Sequence, residues 1–324
     1  MRFSLLGGGR WGTALALHLG RLGHQVLIFD KSQKVVELIN SGKHPYQEIS
    51  MPQSVKATLS LEECLDFSSY VILALPVQVI RSVLEGKRLS GKKVISASKG
   101  LEKETFKRVS QVLSEIDPEV EVFVLSGPSF AREVSEGLPT ALVLAGYNQE
   151  ELKRIKDLIS SPTFRVYLSK DPVGVELGGA LKNVYAIACG ISDGLGFGEN
   201  ARAGLITRSL AEMVRIGTSL GAQRETFYGL SGLGDLLLTS TSKQSRNYTF
   251  GYLLGKGYKV EEALGELNQT VEGFHTTLAL YRLTLELGAY APISHGVYRV
   301  LYEGLPPKEC ALELLKNPPQ GDFE

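Results

Sequence analysis

The first thirty residues restrict this 324-residue chain more than any other stretch. Arg2 to Leu6 (RFSLL) is a short apolar run that breaks into GGGRWG at Gly7 to Gly12, and TALALHLGRLG then follows with helical periodicity. A second apolar run, Gln25 to Phe29 (QVLIF), ends at Asp30, eighteen positions after Gly12. Strand, tight turn, helix, strand and acid in that order make the dinucleotide-binding βαβ fingerprint. Each glycine has its own reason: Gly7 permits the sharp turn, Gly9 lets the backbone approach a pyrophosphate, and Gly12 lets the helix pack closely on the sheet. The N–H groups of the first turn, around Arg10 and Trp11, face the anion with the helix dipole behind them.

Beyond Asp30, short β-branched runs alternate with amphipathic segments. Val71 to Leu75, Val94 to Ala97, Val120 to Leu125 and Thr140 to Ala145 read as strands, while Val77 to Glu85 and Glu104 to Glu115 read as helices. Apolar strands separated by helices predict a doubly wound, mostly parallel α/β sheet of Rossmann type, whose ligands lie beyond the carboxyl ends of the strands. Residues just after each strand therefore matter most: Pro76 and Gln78, Ser98 to Gly100, and Ser126 to Ala131.

From Asp171 the pattern changes to long helical stretches, Val173 to Ile191, Ala203 to Leu220, Val260 to Leu264, Gly273 to Leu287 and Pro307 to Leu315. This predicts residues 1–170 as the dinucleotide-binding domain and 171–324 as an all-helical substrate domain, with a loosely ordered tail after Lys316.

Lys plus Arg equals Asp plus Glu at 35 each, which argues against nucleic acid or an anionic membrane as the main partner. No apolar run is long enough to cross a bilayer, and no secretory signal precedes the first strand. Three scattered cysteines, Cys64, Cys189 and Cys310, point to a reducing compartment, and their spacing suggests no metal site. The oligomeric state stays open, a homodimer among the alternatives.

Three constellations can carry chemistry. Lys182 and Asn183 interrupt the otherwise apolar helix Val173 to Ile191, where loss of solvation pulls a lysine toward the range useful for proton transfer, unless a nearby acid neutralises it as a purely structural group. Lys99, in SASKGLE after a strand, is either at the ligand crevice or on a solvated loop. Gly229 to Asn247 (GLSGLGDLLLTSTSKQSRN) holds Asp235 beside hydroxyls and an arginine, and the hydroxyls and arginine fork suit a phosphate. The bland alternative there is an Asp235 helix cap followed by a polar surface loop.

Taken together, GGGRWGTALA, SASKGLE, LSGPSFA, LKNVYAIACGISDGLGFGENARA, GLSGLGDL, SRN and VEG resemble, in order and over nearly the whole chain, the bacterial NAD(P)-dependent glycerol-3-phosphate dehydrogenases. The resemblance implies a Rossmann domain followed by a helical substrate domain, and supply of glycerol 3-phosphate for phospholipid synthesis. It implies that Lys182 donates and accepts the proton, with Lys99 bridging cofactor and substrate. Gly127, Ser129, Asn183, Asp235, Ser245, Arg246 and Asn247 match substrate positions, Arg246 also meeting the cofactor. Trp11, Lys31, Ala131, Val271 and Glu272 match positions that line NAD or NADP. Asp30-Lys31 departs from relatives that lack an acid at the first position, and Ser240 stands where a cysteine is common. The reaction so implied is reversible reduction of dihydroxyacetone phosphate to sn-glycerol 3-phosphate. Its competitors are another two-domain dehydrogenase, such as a ketopantoate reductase, and a non-catalytic dinucleotide-sensing module.

Overall fold

The computed structural model describes residues 1–268, 270–316 and 321; the expected loose tail after Lys316 lies almost wholly outside them. The chain forms two compact units, one of Met1–Ser98 with Val109–Pro172, the other of Lys99–Arg108 with residues from Val173 onward. The segment Lys99–Arg108 thus belongs with the helices, although it lies far upstream of residue 170.

The first unit runs β1 (Arg2–Leu6), α1 (Arg10–Arg21), β2 (Gln25–Phe29), α2 (Gln33–Asn40), β3 (Val55–Thr58), α3 (Leu61–Phe67), β4 (Tyr70–Leu73), α4 (Val77–Leu84), β5 (Lys93–Ser96), α5 (Val109–Ile116), β6 (Glu121–Ser126), α6 (Ala131–Glu136), β7 (Thr140–Ala145), α7 (Gln149–Ile159) and β8 (Phe164–Ser169). The strands make one sheet in the order β3-β2-β1-β4-β5-β6-β7-β8, parallel throughout except between β6 and β7. Side chains alternate between its faces as the two-residue period requires. Phe3, Leu5, Ile28, Ile72 and Ile95 enter one core, and Leu6, Leu27, Val71, Leu73 and Val94 the other. Register places Leu6 beside both Phe29 and Leu73, so the turns after β1, β2 and β4 leave the sheet at one level. The chain order reverses between β1 and β4, the switch point where such sheets bind their ligands.

The second unit is helical: α8 (Pro172–Gly194), α9 (Gly198–Ser219), a 3-10 turn Arg224–Tyr228, a π turn Leu230–Gly234 running into α10 (Asp235–Ser240), then α11 (Arg246–Gly255), α12 (Val260–Leu267), α13 (Glu272–Leu287), α14 (Pro292–Tyr302) and α15 (Pro307–Lys316). Helix α8 is buried nearly all round, as its Gly, Ala, Val, Leu and Ile content dictates. Its crossing with α11 is backbone on backbone. A Cβ at Gly190 would stand 2.1 Å from the Tyr248 carbonyl oxygen, and one at Gly251 2.1 Å from that of Ile187. Glycine is required there by contact, and the contact fixes the start of α11 relative to α8.

The structure amends the sequence reading at several places. The helix expected over Glu104 to Glu115 begins only at Val109, because residues 101–108 fold back on themselves with Leu101 bridged to Arg108. Asp235 does not cap a helix ahead of a polar surface loop: residues 230–240 are continuously helical, and Asp235 is buried. Strands β3 and β8 and helices α2, α3, α6, α11 and α14 carry signals too short or too mixed to stand out from the sequence.

Candidate functional site

In the first unit the glycine turn is held from several sides. Gly7 takes φ +109°, and a Cβ there would press within 2.7 Å of the Ala74 carbonyl oxygen. A Cβ at Gly12 would fall 1.9 Å from the Gly7 oxygen, so both positions exclude any larger residue. Asp30 accepts from the Gly8 N–H at 2.8 Å with Oδ2 and from the Ser32 N–H at 2.8 Å with Oδ1, tying the end of β2 to the turn. The Tyr46 hydroxyl donates to the Gly8 carbonyl at 2.8 Å, and the Arg10 guanidinium lies 5.3 Å from the centre of the Tyr46 ring.

This unit fits a dinucleotide. Gly9 is the N-cap of α1 with no side chain capping the helix, and a Cβ on it would meet nothing within 4 Å, leaving open space before the first-turn N–H groups. A helix N-terminus of that kind favours a pyrophosphate. The Trp11 indole Nε1 is buried beside it with no hydrogen-bond acceptor among the described residues. Lys31 is exposed just beyond Asp30, and Pro76 caps α4 on the neighbouring turn. Gly127, at φ +144°, ends β6 against β7, where a Cβ would stand 3.1 Å from the Ala141 carbonyl oxygen. The Ser129 hydroxyl donates to the Gly127 carbonyl at 3.0 Å, and Ala131 opens α6.

The second unit holds the candidate proton-transfer groups. Asp235 is buried at the start of α10, its Oδ2 accepting from the Lys99 ammonium at 2.6 Å and its Oδ1 lying 3.1 Å from the Lys182 ammonium. Lys182 also donates to the Thr239 hydroxyl at 2.7 Å, and that hydroxyl donates to Asp235 Oδ1 at 3.2 Å. Two of the three ammonium protons of Lys182 are therefore spent on protein, and the third can meet a substrate oxygen. Burial is the largest influence on Lys182 and lowers its pKa. Asp235 works against it, Lys99 and Arg246 add repulsion, and the result is about 8. Burial alone would raise Asp235, but the two ammoniums outweigh it and hold the carboxyl below its ordinary value.

A chain of amides sets these groups in place. The Gly273 N–H donates to Asn247 Oδ1 at 2.9 Å, Asn247 Nδ2 to Asn183 Oδ1 at 2.9 Å, and Asn183 Nδ2 to the Lys99 carbonyl at 3.3 Å. Both asparagines expected at the substrate thus join α13, α11 and α8 to the backbone of Lys99. Ser245 caps α11, its Oγ accepting from the Tyr248 N–H at 3.1 Å, and the exposed Arg246 follows in the first turn. The Val271 side chain is buried in the helical core, and Glu272 opens α13.

Sequence reasoning missed Thr239. The signal was present, since Asp-x-x-x-Thr on a helix puts both side chains on one face. It also missed Tyr46, which no local pattern joins to Gly8. Among the described residues, no group of three or more His, Cys, Asp or Glu is placed to hold a metal ion, and no helix is long and apolar enough to cross a membrane.

A doubly wound dinucleotide-binding sheet accompanied by a helical unit with a burial-tuned lysine defines a nicotinamide-dependent dehydrogenase of two domains. Comparison with known proteins gives the particular kind. Residues 2–152 match the family model for the N-terminus of NAD-dependent glycerol-3-phosphate dehydrogenase, and residues 171–312 match that for its C-terminus. The glycerol-3-phosphate dehydrogenase [NAD(P)+] of Thermoanaerobacter sp. (strain X514) is 44% identical over 320 residues, 97% of each chain. That of Carboxydothermus hydrogenoformans is 43% identical over 323 residues, covering 97% of this chain and 96% of the relative. The crystal structure of glycerol-3-phosphate dehydrogenase from Coxiella burnetii superposes with a TM-score of 0.94 at 36% identity, over 98% of this chain and 99% of that one. The chain belongs to the NAD-dependent glycerol-3-phosphate dehydrogenase family.

Proposed function

We propose that this protein is an NAD(P)-dependent sn-glycerol-3-phosphate dehydrogenase, catalysing the reversible reduction of dihydroxyacetone phosphate to sn-glycerol 3-phosphate for glycerophospholipid synthesis. Family membership supports that reading. The observation that carries the chemistry is the buried Lys182 ammonium, bonded to Asp235 and Thr239 with one proton left over. When bound, the nicotinamide supplies the hydride.

The chain's own residues account for the rest. As negative charge builds on the substrate oxygen during reduction, the Lys182 ammonium stabilises it and delivers a proton from Nζ; in oxidation the neutral amine takes the proton back. Thr239, accepting from Lys182 and donating to Asp235, fixes the direction in which Nζ points. Lys99 supplies a second positive charge next to the same carboxylate. Lys99, Lys182 and Arg246 against Asp235 leave an excess of positive charge for a phosphorylated substrate, whose phosphate is assigned to Arg246, Ser245 and the first turn of α11. Gly127 and Ser129 are assigned to the substrate as well, on the family resemblance. Gly7, Gly9, Arg10, Trp11, Gly12, Asp30, Lys31, Pro76, Ala131 and Glu272, with the backbone of Val271, are assigned to the dinucleotide. Three buried cysteines suit a cytoplasmic enzyme.

The test is absorbance at the nicotinamide band with dihydroxyacetone phosphate, run with NADH and with NADPH. Substrate-dependent oxidation is expected with both. Its absence with both would overturn the assignment.

A further inference from the structure

Residues 99–108 follow β5 in sequence yet fold with the helices, and their geometry gives them a task. Leu101 bridges Arg108 across an antiparallel turn, closed by the Glu102 N–H donating to the Lys107 carbonyl at 3.0 Å and the Phe106 N–H to the Glu102 carbonyl at 2.8 Å. Within the turn, the Thr105 hydroxyl donates to the Glu102 carboxylate. Phe106 sits at φ +58°, a left-handed conformation that is costly for a non-glycine residue and persists only where the surroundings enforce it. Here its ring packs on the helical core with Arg282 5.9 Å above it.

Near each end the strap is hydrogen-bonded to α8. At its root, Asn183 donates to the Lys99 carbonyl. At its far end, the Arg108 guanidinium donates to Glu176 at 2.8 Å, where the Glu176 side chain is 2% exposed and that of Arg108 18%. Glu176 and Asn183 are seven residues apart, about two turns and roughly 10 Å along one face of the helix. The strap therefore lies along α8, and Arg108 stands directly across from Leu101, two residues from Lys99.

We infer that Arg108 and Glu176 are positioning residues for proton transfer: their ion pair pins the far end of the strap to α8 and so keeps the Lys99 ammonium on Asp235, next to Lys182. The inference rests on the reading of Lys182 as the proton carrier. Lys182 is faced by Asp235 from α10, by Lys99 from the strap and by Arg246 from α11. Releasing Lys99 removes one repulsive partner and leaves Asp235 to Lys182 alone. Both changes favour the protonated amine, so its titration moves upward.

Arg108→Met, Arg108→Lys and Glu176→Gln test this in the full-length protein with two readouts. One is the acid limb of the pH profile for glycerol 3-phosphate oxidation, the other amide hydrogen exchange at Glu102 and Phe106. Arg108→Met should move the limb up by about half to one pH unit and speed exchange roughly tenfold, while Arg108→Lys, which keeps the charge, should restore most of both. Should Arg108→Met fail to fold, the isosteric Glu176→Gln carries the test, with a smaller shift in the same direction. An unmoved limb in a folded variant overturns the inference. Unchanged exchange overturns the strap whether or not Lys182 is the proton carrier. A limb near pH 8 that survives Lys182→Met would instead strike at the reading of Lys182 and leave the exchange result to decide the strap.

Discussion

Replacing Asp235 by Asn should move the titration of Lys182 downward, because it removes the negative charge that favours the ammonium. In the intact protein, oxidation of glycerol 3-phosphate needs the neutral amine and reduction of dihydroxyacetone phosphate needs the ammonium. With a pKa of about 8, the oxidation rate should rise about tenfold between pH 7 and 9 and the reduction rate should fall about tenfold. Asp235 Oδ1 lies 3.1 Å from the ammonium. A full charge at that distance, in an effective dielectric near 20, attracts by roughly 5 kcal/mol, equivalent to an upper bound of about 4 pH units. Asn keeps an acceptor oxygen and Thr239 still accepts from Lys182, so a drop of about 1–2 units is expected. Lys99 and Arg246, which oppose the charged form, remain. Initial rates of oxidation with saturating NAD from pH 5.5 to 10 measure the limb. A limb that stays near 8 or rises in Asp235→Asn would show that this carboxylate does not set the charge state of the group that moves the proton.

Other outcomes follow from the same geometry. Arg246→Lys should raise the KM for dihydroxyacetone phosphate by about 10- to 100-fold, because a point charge cannot reproduce the planar fork; activity on unphosphorylated dihydroxyacetone, poor from the start, should change far less. Asp30→Gly should shift the ratio of kcat/KM values toward NADPH, since it removes a charge that repels a 2′-phosphate, and an unchanged ratio would place Asp30 away from the ribose. Gly251→Ala should cost at least about 2–3 kcal/mol in chemical denaturation, because its Cβ would meet the Ile187 carbonyl at 2.1 Å and backbone cannot step aside.

The parts of this molecule that could be read from the sequence are those whose physics is local. Gly7, Gly12 and Asp30 sit within one βαβ unit, so their spacing encodes their geometry, down to a Gly12 with no room for a Cβ. Lys182 stood out because a charge inside an apolar helix is conspicuous wherever that helix packs. What could not be read is what joins them. Lys99 and Asp235 are 136 residues apart in sequence and meet through an ion pair that no pattern announces. Residues 104–108 of the strap read as the first turns of α5, because they suit a helix as well as they suit a clasp whose conformation the helical core imposes. Helix α11 escaped notice for a related reason: its glycines, poor helix formers alone, serve the close crossing with α8.

The central claim is that the Lys182 amine carries the proton, and Lys182→Met tests it most directly by keeping most of the buried volume while removing the charge. The measurement pairs kcat in both directions with NADH binding followed by fluorescence. The account predicts unchanged NADH affinity, because the fingerprint that holds the dinucleotide lies in the first unit, together with a fall in kcat of about 100-fold or more in each direction. Normal NADH binding with near wild-type kcat would contradict it and pass the role to another group, with Lys99 the next to test.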